Sequence, residues 1–156
     1  MIEFIFTKSI AQPTVEFYEI SRRDAHLHAL KRKDCYNKAD QANRQGMIGV
    51  ASYYINQARE QTRLMKDANR TACEYLSKTR LTQFHQTHRL DLHELYADEA
   101  LHLFKQVEHE LNEGNKRTTP KSIEIITGYG KNSIYGGGGG KIRSIILTYI
   151  RQKNYK

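Results

Sequence analysis

Several residue types are scarce in this chain of 156 residues, and each scarcity excludes a class of protein. Cys35 and Cys73 are its two cysteines, too few for a disulfide framework and too far apart for a Cys-x-x-Cys metal site. No apolar run approaches the roughly 18 residues that span a bilayer. The first six residues contain Glu3 and no basic residue, unlike a secretory signal. We therefore expect a cytoplasmic protein, with the nucleus as the alternative, and no membrane partner.

Acidic residues are nearly absent after residue 113. Residues 1–113 carry 16 Lys/Arg and 16 Asp/Glu, whereas residues 114–156 carry nine Lys/Arg and a single acidic residue, Glu124. The formal net charge of +8 therefore arises in residues 114–156. This segment also contains a glycine-rich loop, so positive charge surrounds backbone that can cradle a phosphate. The pattern favours a polyanion as partner, with a solvated basic tail as the alternative.

The first half of the chain predicts helices. Residues 1–16 contain Pro13 and show no sustained period, so we expect a disordered lead-in. Over residues 17–78, apolar residues recur at spacings of three, four or seven, which predicts two long helices. Gly46 is placed to end the first helix, and a short turn between long helices predicts an antiparallel hairpin. Residues 79–87 are polar and aperiodic and are predicted to be a linker.

Residues 88–156 predict a small α/β domain. Strands are expected at about 88–93 and 122–127, a helix at about 97–113 between them, and a second helix at about 141–152. The predicted fold class is therefore α/β, an N-terminal antiparallel helical hairpin followed by a small β-α-β-α sandwich.

The two predicted strands place polar and glycine residues at one edge of their sheet. Parallel strands joined by a crossover helix end on the same edge, and ligands bind just outside the carboxyl ends of such strands. We therefore expect Asp91, His93 and the turn Gly128–Gly130 to gather at one place, and an active site to lie there.

Asp91 and His93 are the candidate catalytic residues. Alternation along the strand puts both on one face. A carboxylate can fix the tautomer of a neighbouring imidazole and raise its basicity, which suits acid–base chemistry. The alternative is structural, with Asp91 anchoring a neighbouring loop and His93 ending the strand.

The glycine loop and the helix after it supply the candidate residues for binding nucleic acid. Glycines between a strand and a helix let backbone N–H groups approach an anion, and basic residues near the helix start add charge. The loop matches neither a Walker A motif nor a dinucleotide fingerprint. The candidates are Thr127, Gly128, Tyr129, Gly130, Lys131, Lys141 and Arg143.

No metal-ligand set is predicted. The spacing His85-x-x-His88 followed by His93 is the nearest approach to a zinc site, but no cysteine or second carboxylate follows at ligand spacing. We expect no cofactor, with a divalent metal held by Asp91 as the alternative.

The order of these motifs resembles a known family. Leu90-Asp91-Leu92-His93, then Glu99-Ala100, then Ile126-Thr127-Gly128-x-Gly130 before a basic helix is similar to the Smr (small MutS-related) domain. The hairpin resembles the domain of unknown function that precedes Smr in many eukaryotic proteins. That second resemblance is carried by Tyr18, Arg22, Ala25 and His28 in the first helix and by Met65, Ala68, Asn69 and Ala72 in the second.

The Smr resemblance implies an α/β sandwich like the C-terminal domain of a bacterial initiation factor, and it implies nuclease activity. Members of the family nick DNA or cleave mRNA, including mRNA on stalled or collided ribosomes. The resemblance implies a role in cleavage for Asp91 and His93, and in substrate contact for Thr127, Gly128 and Gly130. We expect an endonuclease that favours RNA over DNA, with the ribosome as a candidate partner. The partner of the hairpin is unknown.

The chain departs from the family pattern at three places. Glu94 stands where the family usually has a glycine, and Tyr129 occupies the variable position between the loop glycines, where it could stack on a base. The chain ends at Lys156, where family members usually continue into further strands. We therefore expect a sandwich without its last strands. Glu94 and the early end favour the alternative function, a nucleic-acid or ribosome-binding module without turnover.

Overall fold

The computed structural model describes residues 3–7, 16–114, 120, 122–128 and 139–153. Over these residues the chain forms four helices and a small three-stranded parallel sheet. The elements, in chain order, are β1 (Glu3–Thr7), α1 (Glu16–Arg44), α2 (Ile48–Thr87), β2 (Arg89–Asp91), α3 (Ala97–Glu113), β3 (Ser122–Ile126) and α4 (Gly139–Gln152).

The chain divides into two compact units, and the boundary falls within α2. The helical unit comprises Thr14–Glu74, and the sheet unit comprises Met1–Pro13 together with Tyr75–Lys156. No helix in the described ranges is both long enough and apolar enough to cross a membrane.

The turn that ends α1 lies at the predicted glycine. Gly46 has a φ of 75°, its N–H donates to the carbonyl of Asn43 at 3.0 Å, and the N–H of Met47 donates to the carbonyl of Ala42 at 2.9 Å. These two bonds are those of a Schellman motif with glycine at C′. The turn reverses the chain within three residues, so α2 begins at Ile48.

Contacts within the helical unit follow the order of an antiparallel pair. Arg22 Nη1 donates to Asn69 Oδ1 at 2.7 Å, and His28 Nδ1 lies 2.8 Å from Gln61 Oε1. The buried positions on the two helices are mostly alanine, so the backbones can approach closely. These alanines are Ala25, Ala39 and Ala42 on α1 and Ala51, Ala58 and Ala72 on α2.

Several charged side chains on the exposed face of the helical unit pair with neighbours on the same helix. Arg63 bonds Glu60 at 2.6 Å and Asp67 at 2.8 Å, and the hydrogen bond from Arg63 lowers the pKa of the Glu60 carboxyl. Lys38 bonds Asp34 at 2.7 Å, and Arg44 bonds Asp40 at the same distance. Such spacings of three and four residues are those at which helical side chains meet.

The sheet of the sheet unit has the strand order β1-β3-β2, and both pairs of strands are parallel. The prediction of a disordered lead-in is therefore wrong for residues 3–7. Phe4 packs its ring 5.6 Å from the ring of Phe104 on α3, while Glu3 and Ile5 are exposed. Exposed and half-buried side chains alternate along β1, as in a strand. The strand β3 that pairs with β1 lies more than a hundred residues away in the sequence.

The core of the sheet unit lies between the strands and the helices α3 and α4. Its fully buried side chains come from the sheet and from both helices: Leu90, Ile123 and Ile125 from the strands, Leu92 just after β2, Leu103, Phe104 and Val107 from α3, and Ile142 and Ile146 from α4. Glu99 accepts a hydrogen bond from the backbone N–H of Tyr96 at 2.9 Å, which caps α3. The helix has the bounds that its periodicity predicts.

The prediction of a linker at residues 79–87 is wrong: α2 continues through this segment to Thr87. Leu76, Arg80 and Phe84 lie four residues apart on one face, and their exposed fractions are 1%, 6% and 3%. The middle position of this buried stripe is an arginine, so apolar periodicity does not reveal it. Threonine hydroxyls in the segment donate to carbonyls one turn earlier, which satisfies them within the helix.

Candidate active site

The carboxyl ends of β2 and β3 meet at one edge of the sheet. Asp91 is in register with Ile126, and the backbone N–H of Leu92 donates to the carbonyl of Ile126 at 2.8 Å. The residues that follow each strand therefore lie side by side. The structure thus brings the turn that carries His93 next to Gly128, as expected.

Gly128 allows the two segments to approach closely. Its φ is 72°, and a Cβ added at this position would lie 3.2 Å from the Cβ of His93. A residue other than glycine would be strained by the left-handed backbone and would press on His93. Gly128 is therefore required by the packing of the β3 end against the turn that carries His93.

Asp91 contacts both the backbone and the ring of His93. Its Oδ1 accepts a hydrogen bond from the backbone N–H of His93 at 3.1 Å and also lies within hydrogen-bond distance of Nδ1 of the imidazole. The first bond is that of an Asx turn, so Asp91 anchors the local turn as well as orienting the ring. The structural and catalytic interpretations of Asp91 are thus compatible.

His93 lies in a turn after β2, which ends at Asp91, two residues earlier than the predicted strand end. The N–H of Leu95 donates to the carbonyl of Leu92 at 3.4 Å. Glu94, the third residue of this turn, has a φ of 74°. A positive φ at this position favours glycine or asparagine.

Arg80, on α2, holds the acidic residues of the site. Its Nη1 lies 3.0 Å from Oδ2 of Asp91, and its Nη2 lies 3.2 Å from Oε2 of Glu94. The exposed fractions of the Arg80 and Asp91 side chains are 7% and 10%. Sequence reasoning missed Arg80 because it lay in the predicted linker. An arginine four residues from Leu76 and from Phe84 was the available signal.

The imidazole of His93 is flanked by two carboxylates. Asp91 contacts Nδ1, and Oε2 of Glu94 lies 3.4 Å from Nε2. Arg80 Nη2 also comes within 3.5 Å of Nδ1. We call Arg80, Asp91, His93 and Glu94 the buried cluster. The Arg80 guanidinium contacts the carboxylates of Asp91 and Glu94, so these charges are paired rather than isolated.

The remaining predicted site residues fall into three groups. Thr127 is buried next to Gly128, with an exposed fraction of 3%. Lys141 and Arg143 are exposed in the first turns of α4, and the guanidinium of Arg143 lies 5.7 Å above the ring of Phe6. Among the described residues, no hydrogen bond or ion pair joins either of them to the buried cluster. The predictions for Tyr129, Gly130 and Lys131 lie outside the described residues.

The histidines at the end of α2 lie in a different place. His85, His88 and Glu110 line a cavity of about 240 Å³ together with Phe84, Leu111, Gly114 and Pro120. His85 Nε2 lies 3.0 Å from Oε2 of Glu110. In the described part of the chain, no group of three or more His, Cys, Asp or Glu side chains has an arrangement that could hold a metal ion.

Comparison with known proteins supports the resemblance of the helical segment. Residues 18–80 match the family model described as a domain of unknown function, DUF1771. The chain is 34% identical over 137 residues to NEDD4-binding protein 2 of Homo sapiens, an alignment that covers 86% of this chain and 8% of that protein. The chain thus spans a small fraction of this relative's length. No solved structure matches.

Proposed function

We propose that the chain is a nucleic-acid endonuclease of the Smr type that cleaves RNA. One observation carries the proposal. The pair Asp91–His93 lies against Gly128 at the carboxyl edge of a parallel sheet, which is where α/β sheets bind their ligands. The order of the motifs in the sequence, which resembles that of the Smr domain, supports a role with nucleic acid.

His93 is the general base of the proposed reaction. With Nδ1 protonated and donating to Asp91, Nε2 carries the lone pair that accepts the proton of a ribose 2′-hydroxyl. The 2′-oxygen then bonds to phosphorus, the bond from phosphorus to the 5′-oxygen breaks, and the leaving oxygen takes up a proton. The products are a 2′,3′-cyclic phosphate end and a 5′-hydroxyl end.

Asp91 is a positioning residue in this scheme. Both of its carboxylate oxygens have donors from the protein, Oδ1 from His93 and Oδ2 from Arg80. This occupancy favours an orienting role over the alternative in which Asp91 binds a divalent metal. Metal-assisted hydrolysis remains the competing route, and it predicts loss of activity in a chelator.

Basic residues at the start of α4 and in the loop before it supply the proposed contacts to substrate. Lys141 and Arg143 are exposed at the start of α4, where positive charge and a helix N-terminus both attract phosphate. Lys131 and the loop residues Tyr129 and Gly130 complete the proposed interface. A messenger RNA is the proposed substrate, with the ribosome as its context and DNA as the competing substrate.

The test is cleavage of an end-labelled single-stranded RNA by the parent protein and by His93→Ala, each with and without EDTA. Cleavage by the parent that survives EDTA, leaves a cyclic phosphate end and disappears in His93→Ala is the expected result. His102→Ala is the matched control, because His102 is an exposed histidine of α3 outside the buried cluster. Equal cleavage by His93→Ala would remove the proposed role of His93.

A binding module without turnover is the second candidate function. It is favoured by Glu94, whose carboxylate lies 3.4 Å from Nε2 of His93, the atom that the nuclease needs free. Binding through phosphate contacts would weaken steeply with salt. If neither parent nor His93→Ala cuts RNA and both bind it equally, the module is the function.

A further inference from the structure

One oxygen of Glu94 lies where a guanidinium and an imidazole converge. Oε2 accepts a hydrogen bond from Arg80 Nη2 at 3.2 Å and lies 3.4 Å from His93 Nε2. The side chains of Arg80 and His93 are 7% and 14% exposed, whereas that of Glu94 is 22% exposed. Glu94 is thus the most exposed of the three side chains.

The backbone at Glu94 is held in a conformation that glutamate disfavours. A φ of 74° is unfavourable for a residue with a Cβ, because the Cβ then lies too close to the backbone. The bond from Arg80 to the Glu94 carboxylate offsets this cost. Arg80 itself is anchored independently, because its Nη1 is bound to Asp91 at 3.0 Å.

A carboxylate oxygen and a non-bridging phosphate oxygen present the same chemistry to these donors. Both carry negative charge, and arginine binds either through charge-assisted hydrogen bonds. The guanidinium that binds Glu94 therefore also suits an oxygen of a phosphodiester. Of the two carboxylates that contact Arg80, the more exposed Glu94 is the one that can move aside.

We propose that Arg80 Nη2 binds a phosphate oxygen beside His93 Nε2, and that the Glu94 carboxylate occupies this site until nucleic acid displaces it. The inference rests on the proposed function, because it names how the substrate phosphate reaches the buried cluster. It also assigns a cost to Glu94: a ligand binds only in the fraction of molecules whose site is open.

The test is titration of the protein with inorganic phosphate at constant ionic strength, followed by NMR of the His93 ring. Glu94→Asn removes the charge and shortens the side chain, and asparagine tolerates a positive φ. We expect Glu94→Asn to bind phosphate about tenfold more tightly than the parent, which corresponds to removing a tenfold occupancy cost. Glu94→Gly, whose backbone also suits this turn, must give the same gain.

The matched control is Glu113→Asn. Glu113 ends α3 and its side chain is 73% exposed, so this substitution makes the same change of charge at the far end of the helix. The affinity for phosphate at His93 must stay that of the parent. Adding Arg80→Lys to Glu94→Asn must lose the gain, because lysine lacks the second nitrogen that reaches the phosphate while Asp91 is held.

Equal phosphate affinity in the parent, Glu94→Asn and Glu94→Gly would overturn the proposal, as would an equal gain in Glu113→Asn. RNA cleavage by the same proteins separates this result from the proposed function. Tighter phosphate binding without cleavage supports the site and refutes the nuclease. Cleavage by the parent and Glu94→Asn with unchanged phosphate affinity supports the nuclease and refutes the site.

Discussion

Replacement of Arg80 by methionine tests whether the buried cluster holds the sheet unit together. Methionine keeps much of the length of the side chain and removes the guanidinium. Asp91, whose side chain is 10% exposed, then loses its partner at 3.0 Å, and Glu94 loses its bond at 3.2 Å. Breaking a buried ion pair by removing one partner costs about 3–5 kcal/mol, since a charge stays buried without compensation. We expect Arg80→Met to lower the free energy of unfolding of the sheet unit by that amount.

The measurement must report on the sheet unit, because the chain has two compact units. Hydrogen exchange of the Leu92 amide does so, since this N–H is bonded to the carbonyl of Ile126 between the two strand ends. Arg89→Met is the matched control. Arg89 pairs with Glu124 in the same sheet, but its side chain is 54% exposed, and exposed pairs contribute about 1 kcal/mol or less.

A double-mutant cycle isolates the contact between Arg80 and Asp91. Asp91→Asn alone leaves Arg80 with one acidic partner fewer, and the double variant removes both charges of the pair. Contacting residues usually show coupling of about 0.5–3 kcal/mol, and we expect the upper part of that range. The reasoning is refuted if Arg80→Met costs no more than Arg89→Met, or if the two substitutions at the cluster are additive.

Three further predictions concern single residues. Gly128→Ala should destabilise the sheet unit by about 1–2 kcal/mol through its positive φ and shift the His93 ring resonances, because the new Cβ would lie 3.2 Å from that residue; unchanged resonances would contradict the close approach. Phe4→Ala should cost about 2 kcal/mol, measured by amide exchange along β3, since a half-buried ring is removed from the edge strand; undiminished protection would show that β1 adds nothing. Gly46→Ala should lower the thermal midpoint of the helical unit at a cost of about 1 kcal/mol, whereas Gly49→Ala, a helical position with open space around it, should not lower it.

Much of the local structure could be predicted because its causes are local. The helix Ala97–Glu113 has an apolar face with the period of a helix, and Gly46 ends α1 with a positive φ. The meeting of Asp91 and His93 with Gly128 followed from a rule of topology, that parallel strands joined by a crossover end at the same edge.

The missed features depend on residues distant in the sequence. β1 is a strand because β3 offers it a hydrogen-bonding edge, and no pattern within residues 1–16 identifies that partner. Arg80 is buried because Asp91 in β2 and Glu94 in the turn after β2 pair with its charge. Neither partner is visible within residues 79–87, so a charged residue there suggested a linker. The sequence alone determined α1, α3, α4 and the first part of α2, the glycine that ends α1, and the edge at which candidate residues gather, since periodicity and backbone conformation act over a few residues. Only the tertiary structure decided which strand completes the sheet and which cation faces the two carboxylates, because burial and charge pairing are set by contacts between remote segments.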